Sequence, residues 1–165
     1  MRFLLSFAVL FVAACGFHPV YGVNKYTATG VEEYLQHIEI ANIPNREGQY
    51  LRNQLIDQFY RNGRLLNPRY TLSINNIQET ERDLDITIDS DTTRGQLRLG
   101  TTMQLIDKGT NEVLLQRTLR SIASFNIIES EFANRVSEQD TRENLLNDLA
   151  RQIEEQLALY FKNQH

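Results

Sequence analysis

The 165-residue chain has a single cysteine, Cys15, no tryptophan, and no proline beyond Pro68. A lone thiol excludes an internal disulfide, and an exported domain that needed covalent staples would carry an even set. Cys/His metal spacing, phosphate-cradling glycine loops and a nucleophile-base constellation are all missing, so no motif points to catalysis, a metal or any other cofactor. Basic runs are missing too: Lys and Arg number 17 against 21 Asp and Glu, a formal charge of −4, which argues against nucleic acid as a partner. No glycine follows Gly109, so nothing interrupts a long helix in the last third of the chain.

What is present begins at the N-terminus. Arg2 precedes an apolar stretch from Phe3 to Val12 broken only by Ser6. It is too short for a spanning helix, which needs about 20 apolar residues, and suits the apolar region of a secretory signal. Val12-Ala13-Ala14-Cys15 then resembles the lipobox of bacterial lipoproteins. That resemblance implies a signal peptide over residues 1–14, diacylglycerol on the Cys15 sulfur and an acyl chain such as palmitate on its new amine. Each buried methylene contributes about 0.8 kcal/mol, and more than one chain makes the attachment stable. Gly16, where enteric lipoproteins retained at the inner membrane carry aspartate, implies the periplasmic face of the outer membrane. Residues 15–34 read as the lipidated terminus and its tether. The remaining 35–165 are enough for one domain with its own core.

Within that domain, Gln36 to Ile40 alternates polar and apolar as a half-buried strand does, with His37 on the solvent phase and given no role. Pro44-Asn45 offers an N-cap, after which Leu51, Leu55, Ile56 and Phe59 recur at helical spacing until Asn62-Gly63. Tyr70, Leu72 and Ile74 define another strand whose phase is lost at Asn75-Asn76-Ile77, where a bulge or a strand end is expected. Leu84, Ile86 and Ile88 set a further phase, which returns shifted in Leu97, Leu99, Met103 and Leu105. Asp83, Asp85, Asp89 and Asp91 invite a calcium loop, but its sixth position is Ile88 rather than glycine, and strand alternation already explains the spacing.

Asp107 to Asn111 forms a turn, and Val113, Leu115 and Leu119 return as the second strand of a hairpin. Bringing these leucines onto the face of Leu97, Leu99 and Leu105 requires odd residues to pair with odd ones. The opposite face then carries Arg98, Thr102 and Gln104 against Gln116, Thr118 and Arg120, with Arg117 left on the apolar phase near a sheet margin. Leu145, Leu146, Leu149, Ile153 and Leu157 mark the last helix, which starts near Ser130 or at Ser137-Asp140. The predicted fold class is α+β: two helices packed on one face of a small, mostly antiparallel four-stranded sheet, a two-layer sandwich.

Four passages carry a family resemblance: Cys15-Gly16-Phe17-His18-Pro19-Val20-Tyr21-Gly22, Leu51-Arg52-Asn53-Gln54-Leu55, Phe125-Asn126 and Ser130-Glu131-Phe132-Ala133. Together they resemble the lipopolysaccharide-assembly lipoprotein family LptE in its alphaproteobacterial form. Phenylalanine replaces the family's tyrosine at both 125 and 132. The resemblance implies a non-enzymatic outer-membrane lipoprotein that plugs the β-barrel LptD and helps deliver lipopolysaccharide to the outer leaflet. Candidate contacts for the lipopolysaccharide phosphates are Arg94, Arg98 and Arg120, because guanidinium forks suit phosphate and like charges crowded on one face favour an anion between them. Pairing with Asp85, Asp89 or Asp91 is the alternative for these arginines. For the whole chain, the alternatives are a structural lipoprotein of another envelope assembly and a lipid-anchored hydrolase built from scattered aspartates.

Overall fold

The computed structural model describes residues 31–61, 63, 66–86 and 92–164. Cys15, the signal peptide, most of the tether, Asp89 and Asp91 lie outside the described residues. In chain order the elements are α1 (Val31–Gln36), β1 (Ile38–Ile40), α2 (Asn45–Phe59), β2 (Tyr70–Ile74), β3 (Gln78–Ile86), β4 (Thr92–Asp107), β5 (Val113–Asn126) and α3 (Glu131–Lys162). The architecture is α+β, as the pattern predicts, but the sheet has five strands rather than four and there are three helices rather than two.

The differences have local causes. Helix α1 is only six residues long, too short to print an apolar stripe, and it falls where the sequence reads as tether. Every side chain from Gln78 to Leu84 is exposed, so the start of β3 lacks the buried phase that would reveal it. The sheet is also mixed. β1 pairs parallel with β2, Ile38 opposite Tyr70 and Ile40 opposite Leu72. Parallel neighbours need a crossover, and α2 supplies it.

β4 is the spine. One edge pairs throughout with β5, while the other pairs with β2 at one end, Ile74 opposite Met103, and with β3 at the other, Gln78 opposite Gly100. Between the two partners lies the break at Asn75 to Ile77, where the alternation fails. Two hydrogen bonds hold it to β4: Asn75 N–H donates to the Thr102 carbonyl at 2.9 Å, and the Thr101 hydroxyl donates to the Asn75 carbonyl at 2.8 Å.

The core lies between the sheet and α2 with α3. Leu72, Leu97, Leu99, Met103 and Leu105 meet Leu51 and Leu55 of α2 and Leu149, Ile153 and Leu157 of α3, all fully buried. Hairpin parity follows the odd-to-odd rule, with Leu99 opposite Ser121 and Leu105 opposite Leu115. Helix α3 begins on Ser130, whose hydroxyl accepts from the Ala133 N–H, so the earlier of the two possible starts is the real one.

At the entry to α2 the capping expectation is corrected. Pro44 is the N-cap and provides no side-chain bond, while Asn45 sits at φ 69°, a left-handed conformation that asparagine tolerates. Its amide donates instead to Asn76 Oδ1 at 2.6 Å, tying the helix start to the break between β2 and β3. Gly63 is left-handed at φ 100°, but α2 has already ended at Phe59 and Tyr60 serves as its C-cap.

Candidate functional site

Because α2 and α3 lie on one face of the sheet, the far ends of β3, β4 and β5 present their other face to solvent. Register assigns Gln78, Thr80 and Arg82 of β3 to that face. Arg94, Gln96, Arg98, Gly100, Thr102 and Gln104 of β4 join them, with Gln116, Thr118, Arg120, Ile122 and Ser124 of β5. Apart from Ile122 it is a polar surface. Thr102 and Thr118 share a hydroxyl hydrogen bond at 3.1 Å, and the Gln104 amide donates to Gln116 at 2.9 Å.

Three arginines cross this face in a line. Arg98 stands opposite Ile122 on one side and Thr80 on the other, so Arg120 and Arg82 are its diagonal neighbours on β5 and β3. Such diagonal positions lie about 7–8 Å apart. Arg94 precedes Arg98 by four residues along β4, with Asp85 opposite it in the register. The arrangement brings Arg94, Arg98 and Arg120 to one surface, as the hairpin parity predicts. It adds Arg82, which sequence reasoning missed because the pairing of β3 with β4 has no local signature. None of the four has an ion-pair partner among the described residues.

Elsewhere Arg69, Arg135, Arg142 and Arg151 are each paired with acids. On the helix-covered side, Arg142 of α3 grips Glu79 of β3 through two 2.8 Å bonds and also meets Glu138. Those bonds hold the Arg142 guanidinium firmly protonated, its pKa raised well above its usual range. Glu81 beside them, though exposed, is raised by partial desolvation and then by the neighbouring carboxylates, Glu138 first. This cluster lies under α3, on the opposite side of the sheet from the arginine line. Asp148 of α3 accepts the Ser121 hydroxyl at 2.7 Å, and that bond, aided by Gln152 and Arg151, lowers its pKa. At the hairpin turn, Asp107 accepts the N–H groups of Gly109 and Thr110 and the Arg69 guanidinium, and its pKa is likewise lowered.

Arg117 lies on the margin strand β5, opposite Met103, where its guanidinium turns out to the Gln116 carbonyl. The motif residue Arg52 lies half-buried on α2 with its Nε unpartnered, whereas Asn53 is exposed. Phe125 is buried against Gly95, but Phe132, the second aromatic of that passage, is 79% exposed.

Where β2 gives way to β3, the polar face dips into an open groove of about 540 Å³. Asn75, Asn76, Gln78, Thr101, Thr102, Thr118 and Arg120 line it, with Gly100 contributing bare backbone that we call its floor. Asn75 and Asn76 were legible in the sequence only as a loss of phase. Among the described residues no group of three or more His, Cys, Asp or Glu could hold a metal, and no helix is long and apolar enough to cross a membrane.

Comparison with known proteins places this geometry. The model of the family LptE, described as lipopolysaccharide-assembly, matches residues 35–159. A solved protein of Caulobacter crescentus CB15 described as a lipoprotein superposes with a TM-score of 0.63 at 22% identity, covering 82% of this chain and 98% of its own. Rare lipoprotein B of Shewanella oneidensis gives 0.61 at 10% identity, covering 78% and 97%. A minor lipoprotein of Acinetobacter baumannii gives 0.54 at 22% identity, covering 74% and 88%. Among curated proteins there is no match. At these identities the superpositions speak for the fold, and the match over 35–159 speaks for the family.

Proposed function

The chain belongs to the lipopolysaccharide-assembly family LptE, and from that premise we propose that it is a non-enzymatic lipoprotein of the outer membrane. Acylated at Cys15 after removal of residues 1–14, it is held at the periplasmic face by residues 15–34. The single domain 35–165 then acts as the plug of the β-barrel LptD in delivering lipopolysaccharide to the outer leaflet. The observation that carries this reading is the extent of the family match, which runs from the end of α1 to the last turns of α3 and so includes both layers of the fold.

The arginine face supports the ligand half of the proposal. Arg94, Arg98 and Arg120, joined by Arg82, offer planar paired donors to phosphate. Close like charges are unfavourable on a sheet unless an anion relieves them. A neutralised, helix-covered surface would have no such use for four arginines.

The test is affinity purification of the tagged full-length chain from gently solubilised envelope membranes. Recovery of one large outer-membrane barrel, identified as LptD, in stable association is the expected result. Recovery of the chain as a free monomer refutes the plug, and recovery with a different envelope assembly assigns it there instead.

A further inference from the structure

Gly100 is a glycine that the fold does not require. Its φ is not left-handed, and an added Cβ would meet only the Leu119 carbonyl at 3.7 Å and Arg120 Cγ at 3.8 Å, ordinary van der Waals contacts. The other two glycines inside elements have evident packing reasons: a Cβ on Gly95 would lie 2.5 Å from the Phe125 ring, and one on Gly48 2.6 Å from Ile43. Glycine within a strand costs about 0.5–1 kcal/mol relative to alanine, and close approach of a ligand to the backbone is one of the reasons a strand keeps one where neither turn nor packing demands it.

The walls around this floor define what that molecule is. Asn75, Gln78, Thr102 and Thr118 are neutral amides and hydroxyls that both donate and accept, which is the complement of a sugar's hydroxyls. Arg120 stands at the groove's edge and directly opposite Gly100, with Arg98 on its diagonal, adding a fork of donors for an attached phosphate. We propose that the groove over Gly100 is a binding site for a phosphorylated sugar, in which the neutral side chains read the ring and Arg120 with Arg98 takes the phosphate. The proposal rests on the reading that the arginine face meets lipopolysaccharide, and it deepens that reading by placing a sugar ring beside the phosphate contacts.

Amide NMR titration of the full-length protein in detergent micelles tests it, with glucose-1-phosphate, glucose and inorganic phosphate as separate probes. Glucose-1-phosphate is expected to shift the amides of Gln78, Gly100, Thr102, Thr118 and Arg120 and to bind about tenfold tighter than either glucose or phosphate. In Gly100→Val the added side chain fills the floor, and binding should weaken about tenfold through lost hydrogen bonds. Gly100→Ala should fold at least as well as the parent and give an intermediate loss. Equal binding of phosphate and the sugar phosphate, or full binding by a folded Gly100→Val, overturns the groove. Lipopolysaccharide binding measured in parallel separates the two ideas. If it persists while glucose-1-phosphate leaves those amides unmoved, the groove fails and the arginine face stands. If lipopolysaccharide itself does not bind, both fail.

Discussion

Alanine at Gly95 and at Gly100 should have opposite effects on stability, although the two positions lie five residues apart in one strand. At Gly95 an ideal Cβ would lie 2.5, 2.9 and 3.0 Å from three atoms of the Phe125 ring, which is itself 7% exposed and has little room to retreat. Forcing a methyl into such a contact costs about 1–3 kcal/mol through displaced side chains and backbone. At Gly100 the nearest atoms are 3.7 and 3.8 Å away, so alanine enters without displacement. It also restricts the unfolded chain, a gain of about 0.4–1 kcal/mol. The difference between the two variants is therefore about 1.5–4 kcal/mol, or several degrees in Tm for a domain of this size. Urea titration of both proteins followed by circular dichroism measures it. Gly95→Ala combined with Phe125→Leu should recover part of the loss, since the shorter side chain vacates the ring's position. Equal effects at the two glycines, or a harmless Gly95→Ala, would refute the packing argument and remove the reason for singling out Gly100.

Three further outcomes can be measured. Asp148 has a lowered pKa when folded, so it contributes stability that is present above its unfolded value of 3.8 and is lost as pH falls through the folded value. Ser121→Ala removes the principal cause, so the acid limb of the stability curve should become shallower and neutral stability should drop by about 1–3 kcal/mol; an unchanged acid limb counts against that hydrogen bond. Arg98→Gln with Arg120→Gln should leave the unfolding midpoint nearly unchanged, because neither side chain has an ion-pair partner among the described residues, while weakening lipopolysaccharide binding and its salt dependence. Binding that survives the double change at low salt moves the ligand elsewhere. Cys15→Ala should accumulate as an unprocessed, unacylated precursor, and mass spectrometry that finds a lipid-free, normally cleaved wild type defeats the anchor.

The parts of the fold legible in the sequence are those fixed by burial on one side. Leu97, Leu99, Met103 and Leu105 alternate because one face of β4 is fully buried, and Leu145, Leu149, Ile153 and Leu157 repeat because α3 lays one stripe on the sheet. From the first pattern the hairpin parity follows, and with it the placing of Arg98 and Arg120 on one face. What escaped depends on contacts between distant segments. Nothing local tells Ile38 to run parallel to Tyr70, and nothing in Gln78 to Asp83 announces a strand whose side chains are exposed. Arg82 could join the arginine line only once Thr80 was paired with Arg98. Likewise the loss of phase at Asn75 was visible, but not that it opens a groove, because the groove needs β4 to run unbroken past two successive partners.

That last feature also orients the molecule. Tyr34 of α1 stacks on Phe161 at 5.0 Å, and Tyr70 meets the same ring at 5.4 Å, so α1 sits at the C-terminal end of α3. Arg94 pairs in register with Asn126, a few residues before α3 begins. With 1.5 Å of rise per residue, the 32 residues of α3 separate these two ends by about 48 Å. A domain tethered through its N-terminus is thus held at the end where Arg69, Asp107 and Lys108 are ion-paired. On the open face of the sheet the unpaired arginines, Arg82, Arg94, Arg98 and Arg120, begin beyond the break at Asn75 and continue toward the far end. If the charge line served only solubility, it would have no reason to avoid the tethered end. Confinement to the far part of the open face fits the proposed arrangement, in which a lipid anchor holds one end of the protein and an anionic ligand meets the other.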